Sequence, residues 1–185
     1  LLGKVAPPAS KGARLLRCAA CLGARSTHSW AARSATRQCW LPQGLKVIYA
    51  IGEPLPIREK GIDAVLAYCV EQLTPCKDLL DPEKVVIAYE PVWSIGTGVT
   101  ASPEQAQETH KAIREWIAKE CGAETAAAIR IQYGGSANAK NAPDLSACPD
   151  VDGFLVGGAS LKPEFKDIVD AVAEVKAAEP VPEGD

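Results

Sequence analysis

Several features that would assign a protein class at once are missing from this sequence. No apolar run approaches the roughly 20 residues that a membrane-spanning helix needs, so we exclude a transmembrane protein and a membrane partner. The seven cysteines are odd in number and scattered over 185 residues, which is not typical of a secreted disulfide framework. We therefore expect mostly reduced thiols and a cytosolic or similar compartment.

Acidic residues are missing from the beginning of the chain. Residues 1–43 contain seven Lys and Arg but no Asp or Glu, and residues 7–43 show neither helical periodicity nor strand alternation. We interpret residues 1–43 as a basic segment that is either a disordered arm or transit-like in composition. Without interleaved aromatic residues or a motif, its charge does not predict a nucleic-acid partner.

The sequence also lacks the complete ligand pattern of a zinc site. Cys18, Cys21, Cys39 and His28 could be drawn as ligands, but a zinc finger needs a second ligand pair at a defined spacing, with strand and helix signals between. Neither is visible, so we expect free thiols and no metal.

From residue 44 the sequence alternates between short apolar runs and helical periodicity. Strands are predicted near 45–51, 84–89, 129–133 and 152–156, with helices between them. This order predicts one α/β domain over residues 44–176 with a parallel sheet, followed by a frayed tail over 177–185. The architecture could be a doubly wound sheet or part of a (β/α)8 barrel.

Polar and glycine residues at the strand ends favour the barrel. Glu53, Glu90, Gly134-Gly135-Ser136 and Gly157-Gly158 all follow strands and should meet at one face, and the paired glycines resemble a barrel phosphate site. A dinucleotide-binding sheet would instead need GxGxxG after the first strand, where the chain has "IGEPLP". Any one glycine pair could be a tight turn, but three such loops favour a shared phosphate.

The stretch "AYEPVWSIGTG", residues 88–98, holds the candidate catalytic residue. Glu90 ends an apolar strand, where a carboxylate is costly to bury unless it is paired, so it is a candidate general base or an ion-paired structural residue. Pro91 directs the loop that follows, Trp93 can anchor it, and Gly96 and Gly98 are suited to a hinge or to a phosphate contact. A base beneath a closing loop and beside a phosphate site suits proton abstraction next to a carbonyl.

Three motifs in the right order resemble the signature segments of the triosephosphate isomerase family: "AYEPVWSIGTG", "YGGS" and "GFLVGGASL". "GLKVIYAIGE" resembles the fifth strand of that family, and the resemblance covers residues 44–176, its C-terminal half. It implies the last four βα units of a TIM (β/α)8 barrel. It also implies isomerisation of glyceraldehyde 3-phosphate and dihydroxyacetone phosphate in glycolysis and gluconeogenesis, without a cofactor.

The resemblance also implies residue roles. Glu90 would be the catalytic base, and Glu53 matches a family glutamate near the active site. Substrate phosphate would be bound by Gly96, Ser136, Gly157 and Gly158. The lid would comprise Pro91, Val92, Trp93, Ser94, Ile95, Thr97 and Gly98, held closed by Tyr133 and Ser136.

Parts of the family pattern are not found in these 185 residues. The family's catalytic lysine and histidine belong to its N-terminal half, as does its dimer-forming loop. "THSW", residues 27–30, lacks the strand before it and the Glu-Arg after it that the family histidine would have, and we interpret His110 as a helix-surface or partly buried structural residue. Residues 7–42 would be an insertion within the helix before the fifth strand, because "LLGKVA" and "QGLKVI" resemble the two ends of that helix.

These differences lead us to expect an impaired isomerase with negligible activity. The alternatives are a non-catalytic phosphate-binding half-barrel, a truncated fragment, or half of another phosphate-binding barrel, although the full lid motif argues against the last. We expect a cytoplasmic protein, with a plastid location as the alternative.

Overall fold

A parallel sheet with helices packed against it forms the centre of the molecule. The computed structural model describes residues 15–18, 44–95, 97 and 99–178. The strands are β1 (Leu15–Cys18), β2 (Lys46–Ile51), β3 (Val85–Tyr89) and β4 (Arg130–Tyr133). The helices are α1 (Leu55–Arg58), α2 (Ile62–Leu73), α3 (Pro103–Cys121), α4 (Ala123–Ala128), α5 (Ala142–Ser146) and α6 (Phe165–Ala178), with short 3₁₀ helices at Thr74–Leu79, Val92–Ser94 and Gly158–Leu161.

All strand pairs in the sheet are parallel, and the strands lie in the order β1-β2-β3-β4. The pairing places Ile51 beside Tyr89 and Tyr89 beside Tyr133, so the carboxyl ends of β2, β3 and β4 meet at one edge. The predictions for 45–51, 84–89 and 129–133 are confirmed to within one residue. The arrangement is an unclosed part of a (β/α)8 barrel.

The strands are buried because they are apolar on both faces. One face packs on α2 and α3 in a large core that includes Ile51, Ile87, Ile113 and Ile131. The other face forms a smaller cluster, centred on Ala88 and its strand neighbours. Continuous apolar runs of this kind are typical of parallel strands covered on both sides.

The predicted strand at 152–156 is present only as an isolated bridge between Tyr133 and Phe154. The segment bonds to β4 through Tyr133 N to Gly153 O (2.9 Å) and Leu155 N to Tyr133 O (2.9 Å). Gly153 has φ 152°, and the irregular backbone at this glycine interrupts a regular ladder.

Arg114 of α3 holds the start of this segment in place. Its Nε donates to Asp150 Oδ1 at 2.8 Å and its Nη2 to Asp152 Oδ2 at 2.7 Å. The same Asp152 oxygen accepts from the backbone N–H of Ile131 at 2.6 Å. The two carboxylates therefore tie α3, β4 and residues 150–152 together.

The limits of helix α3 follow the local sequence signals. Ser102 Oγ accepts from Gln105 N, and the Gln105 side chain accepts from Ser102 N, which completes a capping box before Pro103. The helix ends at Gly122, whose φ of 97° suits glycine. Ser102-Pro103 and Gly122 thus mark the two ends of the helix.

Strand β1 and the end of helix α6 lie outside the predicted domain of residues 44–176. Strand β1 was not predicted, because Leu15–Cys18 lies in a segment without strand alternation. Helix α6 continues to Ala178, one residue past the predicted start of the tail. The zinc-ligand candidates Cys21, His28 and Cys39, most of the proposed insertion 7–42, and residues 179–185 lie outside the described residues.

Candidate active site at the carboxyl edge of the sheet

Glu90 lies directly after β3, where three strands converge. Its backbone N–H donates to Ile51 O at 2.7 Å, while Gly134 N donates to Tyr89 O at 2.7 Å. These two bonds connect the ends of β2, β3 and β4. The residue is 3% exposed, so the carboxylate that the sequence placed at a strand end is in fact buried.

Two glycines make room for Glu90. A Cβ atom at Gly52 would lie 1.7 Å from the carbonyl oxygen of Glu90, and one at Gly134 would lie 2.4 Å from its Cγ. Neither distance is possible for a side chain without a shift of the backbone or of Glu90. The glycines after β2 and β4 are thus required by close packing on Glu90 itself.

A cavity of about 430 Å³ opens beside the carboxylate. Its lining brings together residues from three strand ends, and five of the predicted site residues are among them: Glu90, Ile95, Ser136, Gly157 and Gly158. Backbone N–H groups of glycine loops can approach an anion closely because no Cβ intervenes. Gly96 and Gly98 lie outside the described residues, so their predicted contacts stay predictions.

The beginning of the predicted lid is attached to the loop after β4. Val92–Ser94 forms a single 3₁₀ turn, and Ser94 is fully buried. Ser136 Oγ donates to Ser94 O at 2.9 Å, and Ser136 N donates to Ser94 Oγ at 3.3 Å. In this arrangement the Ser136 hydroxyl is bonded to the lid while its residue lines the cavity.

Ala101, which follows the predicted lid, is attached to β4. The backbone N–H of Ala101 donates to the Tyr133 hydroxyl at 3.3 Å. Burial raises the pKa of Tyr133, while its hydrogen bonds to Ser94 and Ala101 act in the opposite direction. Tyr133 therefore stays a neutral hydroxyl that can donate and accept at the same time.

Glu53, at the end of β2, lies under the lid. Its Oε1 accepts from Tyr89 OH at 3.0 Å and from Trp93 Nε1 at 2.9 Å, and its backbone carbonyl accepts from Val92 N at 3.0 Å. Among the described residues its Oε2 has no hydrogen-bond partner, although Glu53 is fully buried. Burial, and next the Glu53 carboxylate, raise the pKa of Tyr89 well above its usual value.

Gln72 is a site-supporting residue that the sequence analysis missed. Its Nε2 donates to Gly52 O at 3.0 Å, and its Oε1 accepts from Gly52 N at 3.2 Å. The side-chain amide thus satisfies both backbone groups of the glycine that packs on Glu90. The sequence does contain a signal for this role, because Gln72 is a polar residue beside Cys69 and Leu73 on the buried face of α2.

His110 is completely buried, whereas a surface or partly buried position was predicted. Its ring meets Tyr89 edge to face at a centroid distance of 5.5 Å, and its Nδ1 lies 3.1 Å from Asp150 O. Burial lowers the pKa of His110 from 6.5 to about 4. It does not line the cavity beside Glu90, so it belongs to the core beneath the site.

Within the part of the chain that the structure describes, no group of three His, Cys, Asp or Glu side chains is arranged to hold a metal ion. Cys69, Cys76, Cys121 and Cys148 are free thiols. No helix in the described part of the chain is both long enough and apolar enough to cross a membrane.

A partial (β/α)8 barrel with a buried glutamate beside a glycine-lined cavity at its carboxyl edge places this chain among the (β/α)8-barrel proteins, whose functional sites lie at that edge. Comparison with known proteins narrows this class. The family model described as triosephosphate isomerase matches residues 29–172. This match begins before residue 44, where the resemblance based on sequence motifs begins. The chain belongs to the triosephosphate isomerase family.

Three curated proteins with similar sequences are also named triosephosphate isomerase. The chain is 57% identical to a triosephosphate isomerase of Debaryomyces hansenii over 130 residues, which are 70% of this chain and 52% of the relative. It is 54% identical over 140 residues to a cytosolic triosephosphate isomerase of Oryza sativa subsp. japonica, covering 75% of this chain and 54% of the relative. For a Candida albicans triosephosphate isomerase, the identity is 55% over 130 residues, covering 70% and 52%. The chain spans about half the length of the curated relatives it matches.

Proposed function

We propose that this chain supplies the general base, the lid and the phosphate-binding loops of a triosephosphate isomerase. The substrates are glyceraldehyde 3-phosphate and dihydroxyacetone phosphate. The observation that carries the proposal is the position of Glu90, buried at the end of β3 and lining one cavity with Ser136, Gly157 and Gly158. Family membership supports the substrate class.

Glu90 is the proton carrier in this proposal. Its carboxylate removes the proton from the carbon next to the substrate carbonyl, and the electron pair of that C–H bond forms the carbon–carbon double bond of an enediolate. The hydroxyl proton of the enediolate moves to the former carbonyl oxygen, and Glu90 returns the carbon-bound proton to the neighbouring carbon, which converts an aldose into a ketose or the reverse. No net oxidation takes place, so the reaction requires no redox cofactor.

The glycine loops hold the other end of the substrate. In this proposal backbone N–H groups at Gly157 and Gly158, together with Ser136, bind the phosphate group, and the family resemblance adds Gly96 to this set. The lid then excludes water, because an enediolate phosphate that is open to solvent can eliminate its phosphate. Lids of this kind gate many enzymes, and this family is a well-known example.

The cavity does not hold every group that the reaction needs. Its described lining has no Lys, Arg or His, although a developing enediolate is stabilised chiefly by cationic and hydrogen-bonding groups. The family resemblance assigns those roles to a lysine and a histidine that we do not find in the sequence. We therefore propose that the chain by itself binds triose phosphates and turns them over slowly.

Phosphoglycolate binding and substrate deuteration test this proposal together. Calorimetry should detect phosphoglycolate binding, and Gly158→Val should weaken it at least tenfold because the new side chain enters the cavity. Deuterium incorporation from D2O at the carbon next to the carbonyl should depend on Glu90, and Glu90→Gln should slow it by about 10²- to 10⁴-fold. Glu59→Gln, at an exposed position outside the cavity lining, is the matched control.

The outcomes separate the candidate functions. Binding without any Glu90-dependent deuteration would favour the non-catalytic phosphate-binding module. Absence of binding at millimolar phosphoglycolate would contradict both functions, and turnover at an ordinary enzymatic rate would contradict the incomplete site.

Location and assembly are part of the same proposal. We propose a cytoplasmic location because the similar Oryza protein is named cytosolic, with the plastid alternative still open. The family resemblance implies a homodimer, and its dimer-forming loop is not found in these 185 residues.

A further inference from the structure

Gly52 follows the last residue of β2, and its backbone groups lie beyond the pairing of the sheet. The residue is buried, and the preceding carbonyl bonds toward β3, because Ile51 O accepts from Glu90 N at 2.7 Å. Successive peptide groups of an extended strand point in opposite directions, so the N–H and C=O of Gly52 face away from β3. On that side, among the residues that the structure describes, β1 pairs with β2 only as far as Tyr49. Gly52 therefore needs partners from outside the sheet, since buried backbone groups are costly to leave unpaired.

The side chain of Gln72 supplies both partners. Its Nε2 donates to Gly52 O at 3.0 Å and its Oε1 accepts from Gly52 N at 3.2 Å, and we call these two bonds the Gln72 clamp. A side-chain amide holds donors and an acceptor in one plane, so it can bond to both groups as a neighbouring strand would. Two more bonds hold Gln72 itself, because its Nε2 also donates to Tyr68 O at 3.1 Å and Tyr49 OH donates to Gln72 O at 2.5 Å. Gln72 is 2% exposed, so water has little access to the clamp.

Gly52 connects the clamp to Glu90. A Cβ atom at Gly52 would lie 1.7 Å from Glu90 O, so the two backbones are in close contact, and the bond from Glu90 N to Ile51 O holds them side by side. We propose that Gln72 is a positioning residue, which sets the place of the Glu90 carboxylate beside the cavity by holding Gly52. Gln72 does not line that cavity, so it acts only through Gly52 and Glu90. The catalytic consequence of this inference rests on the proposed function of Glu90 as the base.

Proton transfer and phosphate binding depend on different parts of the cavity. Proton transfer requires the Glu90 carboxylate within hydrogen-bond distance of the reacting proton, and a displacement of about 1 Å can slow such a step about 100-fold. The proposed phosphate contacts at Gly157 and Gly158 belong to a different loop, which the Gln72 clamp does not touch. Loss of the clamp should therefore slow the reaction of Glu90 and leave the affinity for inorganic phosphate unchanged.

Gln72→Met tests this separation, because methionine keeps the length of glutamine but has no N–H donor and only a weak acceptor. We expect the Glu90-dependent deuteration of dihydroxyacetone phosphate in D2O to slow by about 10- to 100-fold, and the dissociation constant of inorganic phosphate, from NMR titration, to change less than about threefold. Gln107→Met is the matched control and should change neither quantity. The Gln107 amide also makes a pair of bonds, donating to Asp150 Oδ2 at 2.6 Å and accepting from Asp150 N at 3.1 Å, outside the cavity lining.

Gln72→Glu adds a rescue that depends on pH. A protonated carboxyl group has one donor and one acceptor, so it can restore the clamp on Gly52, whereas a carboxylate can only accept and repels Gly52 O. We expect the deuteration rate of Gln72→Glu, divided by that of the unmodified chain at the same pH, to rise at least about threefold as the pH falls from about 8 to about 5. The same ratio for Gln72→Met should not depend on pH. If circular dichroism shows that Gln72→Met is unfolded, Gln72→Glu at the lower pH takes its place.

Amide hydrogen exchange tests the positioning without the reaction. The Glu90 N–H, which donates to Ile51 O, should exchange at least about tenfold faster in Gln72→Met than in the unmodified chain, and Gln107→Met should leave this rate unchanged. Faster exchange in Gln72→Met, with no deuteration of substrate by the unmodified chain, would support the inference and count against the proposed function alone. Unchanged exchange and deuteration in Gln72→Met would overturn the inference. Equal losses of deuteration and of phosphate affinity would also overturn it, because Gln72 would then have a merely structural role.

Discussion

Two glutamates in this molecule follow apolar strands, so their positions in the sequence are similar. Glu53 ends β2 and Glu90 ends β3, and their exposed fractions are 0% and 3%. Their surroundings differ. Glu53 accepts hydrogen bonds from Tyr89 and Trp93, while Glu90 lines a cavity of about 430 Å³.

The difference shows how a fold assigns separate roles to similar carboxylates. The donors around Glu53 come from a strand and from the lid, so this carboxylate joins the lid to the sheet. Around Glu90 the neighbours from β2 and β4 are glycines, because Glu90 itself fills the room that their side chains would need. The two donors to Glu53 favour a structural role for that residue, and the cavity lined by Glu90 favours a role toward a ligand.

Gly52→Ala should have the largest effect on this comparison, because Gly52 precedes one glutamate and packs on the other. The new Cβ would lie 1.7 Å from Glu90 O, so the ends of β2 and β3 must separate. We expect a loss of about 3 kcal/mol or more in the free energy of unfolding, measured by urea denaturation. The matched control is Gly158→Ala, where a Cβ meets nothing within 4 Å. Equal stability of the two variants would show that the strand ends are not closely packed.

Glu53→Ala should have the next largest effect. It removes the acceptor of Tyr89 OH and Trp93 Nε1 and leaves two donors without their partner in the core. We expect a loss of about 2 to 4 kcal/mol in the free energy of unfolding. Exposed Glu59→Ala should change this value by less than about 0.5 kcal/mol. A small effect of Glu53→Ala would mean that Glu53 does not fix the lid.

The sequence predicted the sheet well because burial on both faces leaves a strong local pattern. Continuous apolar runs located β2, β3 and β4. The segment 152–156 was predicted as a regular strand because its apolar pattern is equally strong. The irregular geometry at Gly153 depends on how the chain meets Ile131 and Tyr133, which no local pattern encodes.

The site was predictable in its residue types but not in its hydrogen bonds. Strand-end positions indicated Glu90 and the glycine loops, and the motifs indicated the lid. Gln72 and the Tyr89 hydroxyl were missed because their partners, Gly52 and Glu53, lie 20 and 36 residues away in the chain. Such contacts follow from packing between elements. Complete burial of His110 was missed for the same reason.

Of the three residues considered, His110 should have the smallest effect on stability. It bears on the comparison because its ring packs on the same Tyr89 that donates to Glu53. Its pKa is about 4 in the folded chain, lowered from 6.5 chiefly by burial and raised in part by Asp150 and Asp152, with Arg114 acting with burial. An unfolded chain takes up this proton near pH 6.5, so the stabilising contribution is complete above that pH and is lost as the pH falls toward 4.

We therefore expect the free energy of unfolding to fall by about 2 kcal/mol between about pH 7.5 and pH 5 through this one group. His110→Asn keeps a donor near Asp150 O but does not titrate, so its stability should depend less on pH by that amount. Urea denaturation of both proteins across this range measures the difference in slope. The variant will be less stable at pH 7.5 because it loses the contact with Tyr89, and only the slope bears on titration. Parallel pH curves would show that the His110 ring reaches water in the folded chain, and that the core under Glu53 is more open than its contacts indicate.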